Sequence, residues 1–372
     1  MTGLYSPPPK TGSGSAQAAM TGPYSPPPQT GSGSAQAAMT AMVAAPLLDV
    51  RDLALQFHTR DGVATVLNGV SYHLDPAEVL AVLGESGSGK SVTAHAIMGI
   101  LDTPPARITG GEILYQGQDL LRMPESARRR FRGREIGMIF QDALSALNPV
   151  FSVGFQIAEA VRLGEGTSRA DARKRAVELM DLVRIPGARQ RVGEYPHQFS
   201  GGMRQRIMIA MALAQRPKVL IADEPTTALD VTVQAQIMDL LAELRRDLGM
   251  AMILITHDLG VVADVADRIV VMYAGRIVEQ ADVYQLYRTP GHPYTRGLLA
   301  SVPRLNGKGA PLATIPGLPP SLTKIPTGCP FHPRCPYARD VCRSTVPPRV
   351  PLGIGRYSAC HFAREVADGR RG

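Results

Sequence analysis

No stretch of this 372-residue sequence holds the roughly 18 to 20 consecutive apolar residues that a membrane-spanning helix requires. The longest apolar runs, such as Val219 to Ala222 and Ala251 to Ile255, are only strand-sized. Any membrane role is therefore expected to be peripheral or exercised through partners, and a mean hydropathy of -0.02 suits a soluble chain. The start lacks the basic segment and apolar core of a secretory signal. Cysteine is missing until Cys329, which excludes a disulfide framework over most of the chain. The net charge of +8 is not accompanied by the aromatic or glycine pattern of a nucleic-acid module, so no nucleic-acid partner is expected. Its densest cluster, Arg128, Arg129, Arg130, Arg132 and Arg134, reads as a solvated helix face and its exit.

With 44% hydrophobic residues the chain can build one large domain and a smaller one. Residues 1–45 contain a repeat, Met1-Thr-Gly-Leu-Tyr-Ser-Pro-Pro-Pro returning as Met20-Thr-Gly-Pro-Tyr-Ser-Pro-Pro-Pro. Such a mixture has too little apolar surface to offset the entropy of ordering and reads as a disordered leader. A duplicated leader, with the true start at Met39 or Met42, is an equal reading. From Leu47 strand-like apolar runs alternate with amphipathic stretches, the pattern of an α/β domain. Val79–Leu83 reads as a central parallel strand, and Val92, Ile97, Ile100 and Leu101 as the stripe of a following helix. Between about 145 and 215 the pattern is mainly helical, a predicted insert. Arg268–Tyr273 and Arg276–Glu279 read as a hairpin turning at Ala274-Gly275. Past Tyr287 proline becomes frequent, which marks residues 291–372 as a separate appendage to the α/β domain over 46–290.

The run Gly84-Glu85-Ser86-Gly87-Ser88-Gly89-Lys90-Ser91 matches the P-loop pattern in full, in strand-to-helix context. Gly84, Gly87 and Gly89 let backbone N–H groups curl around phosphate oxygens, and Ser86 lies in the same curl. Lys90 neutralises the β/γ-phosphates, and Ser91 ligates Mg²⁺. A second apolar strand ends in Asp223-Glu224. Asp223 is the expected partner of the Mg²⁺ site, and Glu224 the general base for an attacking water.

Further motifs resemble those of the ABC transporter ATPase family, over roughly Leu47 to Val283. Phe199-Ser200-Gly201-Gly202-Met203-Arg204-Gln205-Arg206 is similar to its signature motif, with Phe199 where leucine is usual and Met203 where glutamine is usual. The resemblance implies a P-loop NTPase core of RecA type with an antiparallel β subdomain and a helical insert. It implies that Gln141 is the Q-loop glutamine near Mg²⁺, Ala228-Leu229-Asp230 the D-loop, and His257 the switch histidine at the γ-phosphate. Ser200, Gly201 and Gly202 become a second phosphate-binding surface. Phe57 is the candidate platform for adenine. One P-loop and one signature per chain imply a dimer in which each ATP is held by one subunit's loop and the other's signature.

Leu147-Asn148-Pro149, Gly291-His292-Pro293-Tyr294-Thr295 and Cys329-Pro-Phe-His-Pro-Arg-Cys335-Pro narrow the resemblance to ATPases of oligopeptide, dipeptide and nickel importers. That subfamily implies a paralogous ATPase partner, two transmembrane permeases, an extracellular substrate-binding protein, and a place on the cytoplasmic face of the membrane. The rivals are a soluble ATPase acting on nucleic acid or ribosomes, an exporter subunit, and an importer of nickel or another solute.

Cys329, Cys335, Cys342 and Cys360 are separated by five, six and seventeen residues, unlike a common zinc ribbon. Four thiolates in a loop-rich appendage suit a [4Fe–4S] cluster, which related importers can carry. Zinc with help from His332 or His361, and free or disulfide-bonded thiols, remain open readings.

Overall fold

The computed structural model describes residues 45–60, 62–227, 229–301 and 314–370. The repeat leader therefore lies outside the described residues, apart from its last position.

The alternating and the continuous apolar runs build two different sheets. β1 (Leu48–Thr59), β2 (Gly62–Leu74), β4 (Ala106–Tyr115) and β5 (Gln118–Asp119) form an antiparallel sheet in the order β2-β1-β4-β5. The larger sheet has the order β11-β12-β10-β9-β3-β8-β7-β6. Its parallel part consists of β9 (Arg268–Tyr273), β3 (Val79–Leu83), β8 (Ala251–Ile255), β7 (Val219–Asp223) and β6 (Ile136–Ile139). β10 (Arg276–Asp282) returns from β9 as the expected hairpin.

β3, β7 and β8 are buried at every residue because both faces of this sheet are covered. Side chains of a strand alternate between faces. Val79, Ala81 and Leu83 accordingly join one core with Ile157, Val161, Leu179 and Ile207 of the helical insert. Leu80 and Val82 join a second core with Leu48, Val50, Leu67 and Ile113 of the antiparallel sheet.

The insert contains the helices Val153–Glu165, Arg169–Leu182 and Gly201–Leu213. The arginine cluster occupies the helix Glu125–Phe131 and its exit, with Arg128 and Arg132 paired to Glu125.

Two features differ from the sequence reading. The helix after Lys90 stops at Met98, because Gly99 adopts a left-handed conformation with φ 63° and turns the chain before Ile100 and Leu101. The cysteine-bearing segment, set apart by composition, packs into the main body. Its β11 (Val350–Gly353) and β12 (Arg356–Ser358) extend the large sheet through the β12–β10 pair. The exposed edge of β10 offers unpaired backbone groups, and a short hairpin satisfies them.

Candidate functional site

β3 ends between its parallel neighbours β9 and β8, and the chain enters the helix Lys90–Met98 through the glycine-rich loop. A side chain on Gly84 would place its Cβ 2.4 Å from the Met272 carbonyl oxygen, and one on Gly89 would meet Leu67 Cδ2 at 2.7 Å. These are glycines because neighbouring backbone and core leave no room, and Gly89 has φ 104° besides.

Lys90 is buried, and its Nζ donates to the carbonyls of Gly84 at 2.8 Å and Glu85 at 3.1 Å. Burial lowers the pKa of its amine, against the raising influence of Glu224, Asp223 and Glu85. The cation is thus held inside the loop by two of the loop's own carbonyls.

Ser91 Oγ donates to Asp223 Oδ1 at 2.9 Å, so the predicted pair meets across 132 positions. Burial raises the Asp223 carboxyl pKa, and the bond from Ser91 works against that. A hydroxyl and a carboxylate side by side at the loop's end are hard oxygen donors of the kind Mg²⁺ selects.

Glu224 follows β7 with φ 45°, a left-handed conformation that a glutamate adopts only when its surroundings impose it. Its N–H donates to the Ile255 carbonyl at 2.8 Å, which continues the β7–β8 pairing one step beyond the sheet. Its carboxylate receives Gln141 Nε2 at 3.0 Å and the Thr227 hydroxyl at 2.9 Å, with His257 Nδ1 at 3.5 Å. Gln141, Glu224 and His257 come from the ends of three parallel strands and share one carboxylate. Thr227 was not anticipated, although its position three residues after Glu224 in a turn was a local sign.

Ser200, Gly201 and Gly202 open the helix Gly201–Leu213, where Ser200 Oγ caps by accepting Met203 N–H at 3.4 Å. No hydrogen bond among the described residues joins them to 84–91. Gly202 lets the helix Val231–Leu248 approach, since a Cβ there would lie 2.6 Å from Val233 Cγ1. Both departures from the usual signature pack around one arginine. Arg191 stands 4.2 Å over the buried Phe199 ring and donates to Met203 Sδ at 3.3 Å. Asp230 caps the helix Val231–Leu248 through Val233 N–H at 2.9 Å, and Ala228 lies outside the described residues. Phe57 is half-buried on β1, packed against the second core.

The four cysteines, none in a disulfide, line one small cavity with Phe331, Phe362 and Tyr337. Burial raises the pKa of the Cys329 thiol and pushes Cys335 and Cys360 up to about 12. Among the described residues, no three His, Cys, Asp or Glu side chains are gathered as ligands of a metal ion. Neither the ligand set of a [4Fe–4S] cluster nor that of the zinc alternative with His332 or His361 is therefore shown among them. His332 Nδ1 lies 2.9 Å from the Cys329 carbonyl and His361 Nε2 3.0 Å from that of Thr345.

Comparison with known proteins gives concordant matches. Residues 67–227 match the family model described as ABC transporter, and residues 278–342 the one described as oligopeptide/dipeptide transporter, C-terminal region. The oligopeptide transport ATP-binding protein OppD of Salmonella typhimurium is 52% identical over 314 residues, covering 84% of this chain and 93% of that protein. OppD of Bacillus subtilis is 54% identical over 312 residues, covering 84% of this chain and 87% of that protein. Among solved structures, a dimeric ATP-binding cassette in a post-hydrolysis state bound to ADP and phosphate superposes with a TM-score of 0.57. It is 26% identical, and the match covers 63% of this chain and 98% of that one. The cassette cbiO1 of Clostridium perfringens, part of an ABC transporter complex, gives a TM-score of 0.55 at 29% identity, over 65% of this chain and 90% of that one.

Proposed function

Since this chain belongs to the oligopeptide transport ATP-binding proteins of the ABC transporter family, we propose that it binds and hydrolyses ATP to drive peptide import across a membrane. The observation that carries the reading is the convergence of Gln141, Glu224 and His257 beside the Ser91–Asp223 pair.

ATP lies with its phosphates in the loop 84–91. Lys90 neutralises their charge, Ser91 and Asp223 serve the Mg²⁺ position, and Glu224 takes the proton of the attacking water. Gln141 and His257 orient that water and the γ-phosphate from either side of the carboxylate. The second phosphate-binding surface, Ser200 to Gly202, serves the nucleotide of a paralogous ATPase subunit. Binding closes the pair and hydrolysis reopens it.

The chain works at the cytoplasmic face of the membrane beneath two permeases, which receive peptide from an extracellular binding protein. No described helix is long and apolar enough to cross a membrane. An apolar groove lined by Met98, Phe140, Ala146, Met208 and Met211, next to Gln141, suits a permease helix. Such a contact reports to the catalytic carboxylate through one residue.

Cys329, Cys335, Cys342 and Cys360 would hold a [4Fe–4S] cluster, which supplies a structural cross-link and a one-electron redox centre. The donor set supports this: four thiols, three of them buried and Cys335 half-buried, line one cavity and are not joined to each other.

The test is reconstitution of the chain with its permeases and paralogous ATPase in vesicles. ATP-dependent peptide uptake that disappears with Lys90→Ala is the expected result. Association with ribosomes or DNA in place of permeases would overturn the reading.

A further inference from the structure

Glu85 is the second residue of the phosphate loop, and its polar atoms are engaged on every side. Its carbonyl accepts from Lys90 Nζ at 3.1 Å and Ser88 N–H at 3.2 Å, both within the loop. Its N–H donates to Tyr294 Oη at 2.8 Å. Its carboxylate accepts two bonds from the Arg334 guanidinium, at 2.7 and 3.0 Å. The last two partners stand 209 and 249 positions away in sequence.

Arg334 is only 8% exposed and is itself held in place. Its Nε donates to the Pro316 carbonyl at 2.9 Å, and Nη1 also reaches Tyr273 Oη at 3.3 Å. Phe331 stacks edge-on to Tyr273 with centroids 5.2 Å apart and lies 5.4 Å from Tyr294. Arg334 and Phe331 both belong to the turn running from Cys329 to Cys335, and Arg334 directly precedes Cys335. The turn that carries Cys329 and Cys335 therefore grips the phosphate loop through Arg334.

Two physical consequences follow. A loop with glycines at 84, 87 and 89 has a large conformational entropy to lose on taking the phosphate-binding curl, and an anchor at residue 85 reduces that loss. Glu85 also places a negative charge in a loop that must receive a polyanion, and the two-bonded guanidinium offsets it.

We propose that Arg334, assisted by Tyr294, is a positioning residue for the phosphate loop, so that the cysteine-bearing turn sets the affinity for MgATP and bound nucleotide in turn tightens that turn. The proposal rests on the reading of 84–91 as the ATP site. The reciprocal effect follows from linkage between two coupled sites.

The experiment uses the full chain and four variants: Arg334→Gln, Glu85→Gln, the double variant, and Lys90→Ala as a binding control. MgATP affinity is measured by displacement of a fluorescent ATP analogue. The rate of backbone hydrogen exchange across residues 329–335 is measured with and without MgATP. Each single variant is expected to bind MgATP about tenfold more weakly, and the double variant no more weakly than either single, because all three remove the same interaction. MgATP should slow exchange across residues 329–335 in the unaltered chain and leave it unchanged in Glu85→Gln. Affinities of both single variants within about twofold of the unaltered chain would overturn the proposal while Lys90→Ala still loses binding. So would exchange across residues 329–335 of the unaltered chain that ignores MgATP. If Lys90→Ala binds MgATP normally, the ATP-site reading itself falls.

Discussion

Gln141 Nε2 donates to Glu224 Oε2 at 3.0 Å, joining residues 83 positions apart at the ends of two strands. The other oxygen of that carboxylate lies 3.5 Å from His257 Nδ1. Glu224 is therefore positioned by a glutamine whose own neighbours form an apolar groove.

Glu224→Gln keeps the shape and hydrogen-bonding capacity of the side chain but removes its basicity. Hydrolysis in a single-turnover assay of the assembled complex should fall about 10²- to 10⁴-fold, with MgATP affinity retained. Hydrolysis at an unchanged rate from this subunit's site would remove Glu224 from the role of base.

Gly84→Ala should damage both the fold and nucleotide binding. Its Cβ would meet backbone, the Met272 carbonyl, at 2.4 Å, so no side chain can rotate away to relieve the clash. A loss of about 1 to 3 kcal/mol in denaturant unfolding is expected. A variant as stable as the parent would mean that β9 yields more easily than its burial implies.

Stability should carry a pH signature from Glu279, a buried carboxylate on β10 that accepts from Gly291 N–H at 2.6 Å and His292 N–H at 2.9 Å. Burial pushes its pKa up from 4.5 to about 7 despite those bonds. The folded state thus holds the proton more tightly than the unfolded one. Its contribution is complete below pH 4.5 and is lost as pH rises through about 7. Neighbouring His292 acts in the opposite direction. Burial lowers its pKa from 6.5 to about 3, so stability from that ring is lost as pH falls. Comparing the chain with Glu279→Gln isolates the carboxylate. The stability difference between them should shift against the unaltered chain by about 1 kcal/mol from about pH 6.5 to about pH 8. A shift of the opposite sign would show that the two donors, not burial, dominate.

Protein purified without oxygen should contain about four irons per chain and absorb broadly in the visible range. Replacing Cys342 and Cys360 with serine should abolish both. A colourless preparation free of iron, with four titratable thiols, would leave the cysteines as packing residues only.

Much of the site is readable from residues that are neighbours in sequence. The loop 84–91, the Asp223-Glu224 strand end and the signature at 200–202 each carry their chemistry within a few positions, and the apolar runs around them reveal their strands. Thr227 shows where such reading thins, since a threonine in a turn has many ordinary uses. The proline-rich composition after Tyr287 suggested a segment apart, yet β12 pairs with β10 because an open strand edge accepts whatever extended backbone reaches it.

By itself, the sequence determined the P-loop, the carboxylate strand and the helical insert, because these depend on local order and on the period of apolar residues. Only the tertiary structure decided that Arg334 meets Glu85 and that the Tyr294 hydroxyl accepts the Glu85 N–H. Such pairings cross hundreds of positions and depend on how the layers pack. No spacing along the chain encodes them.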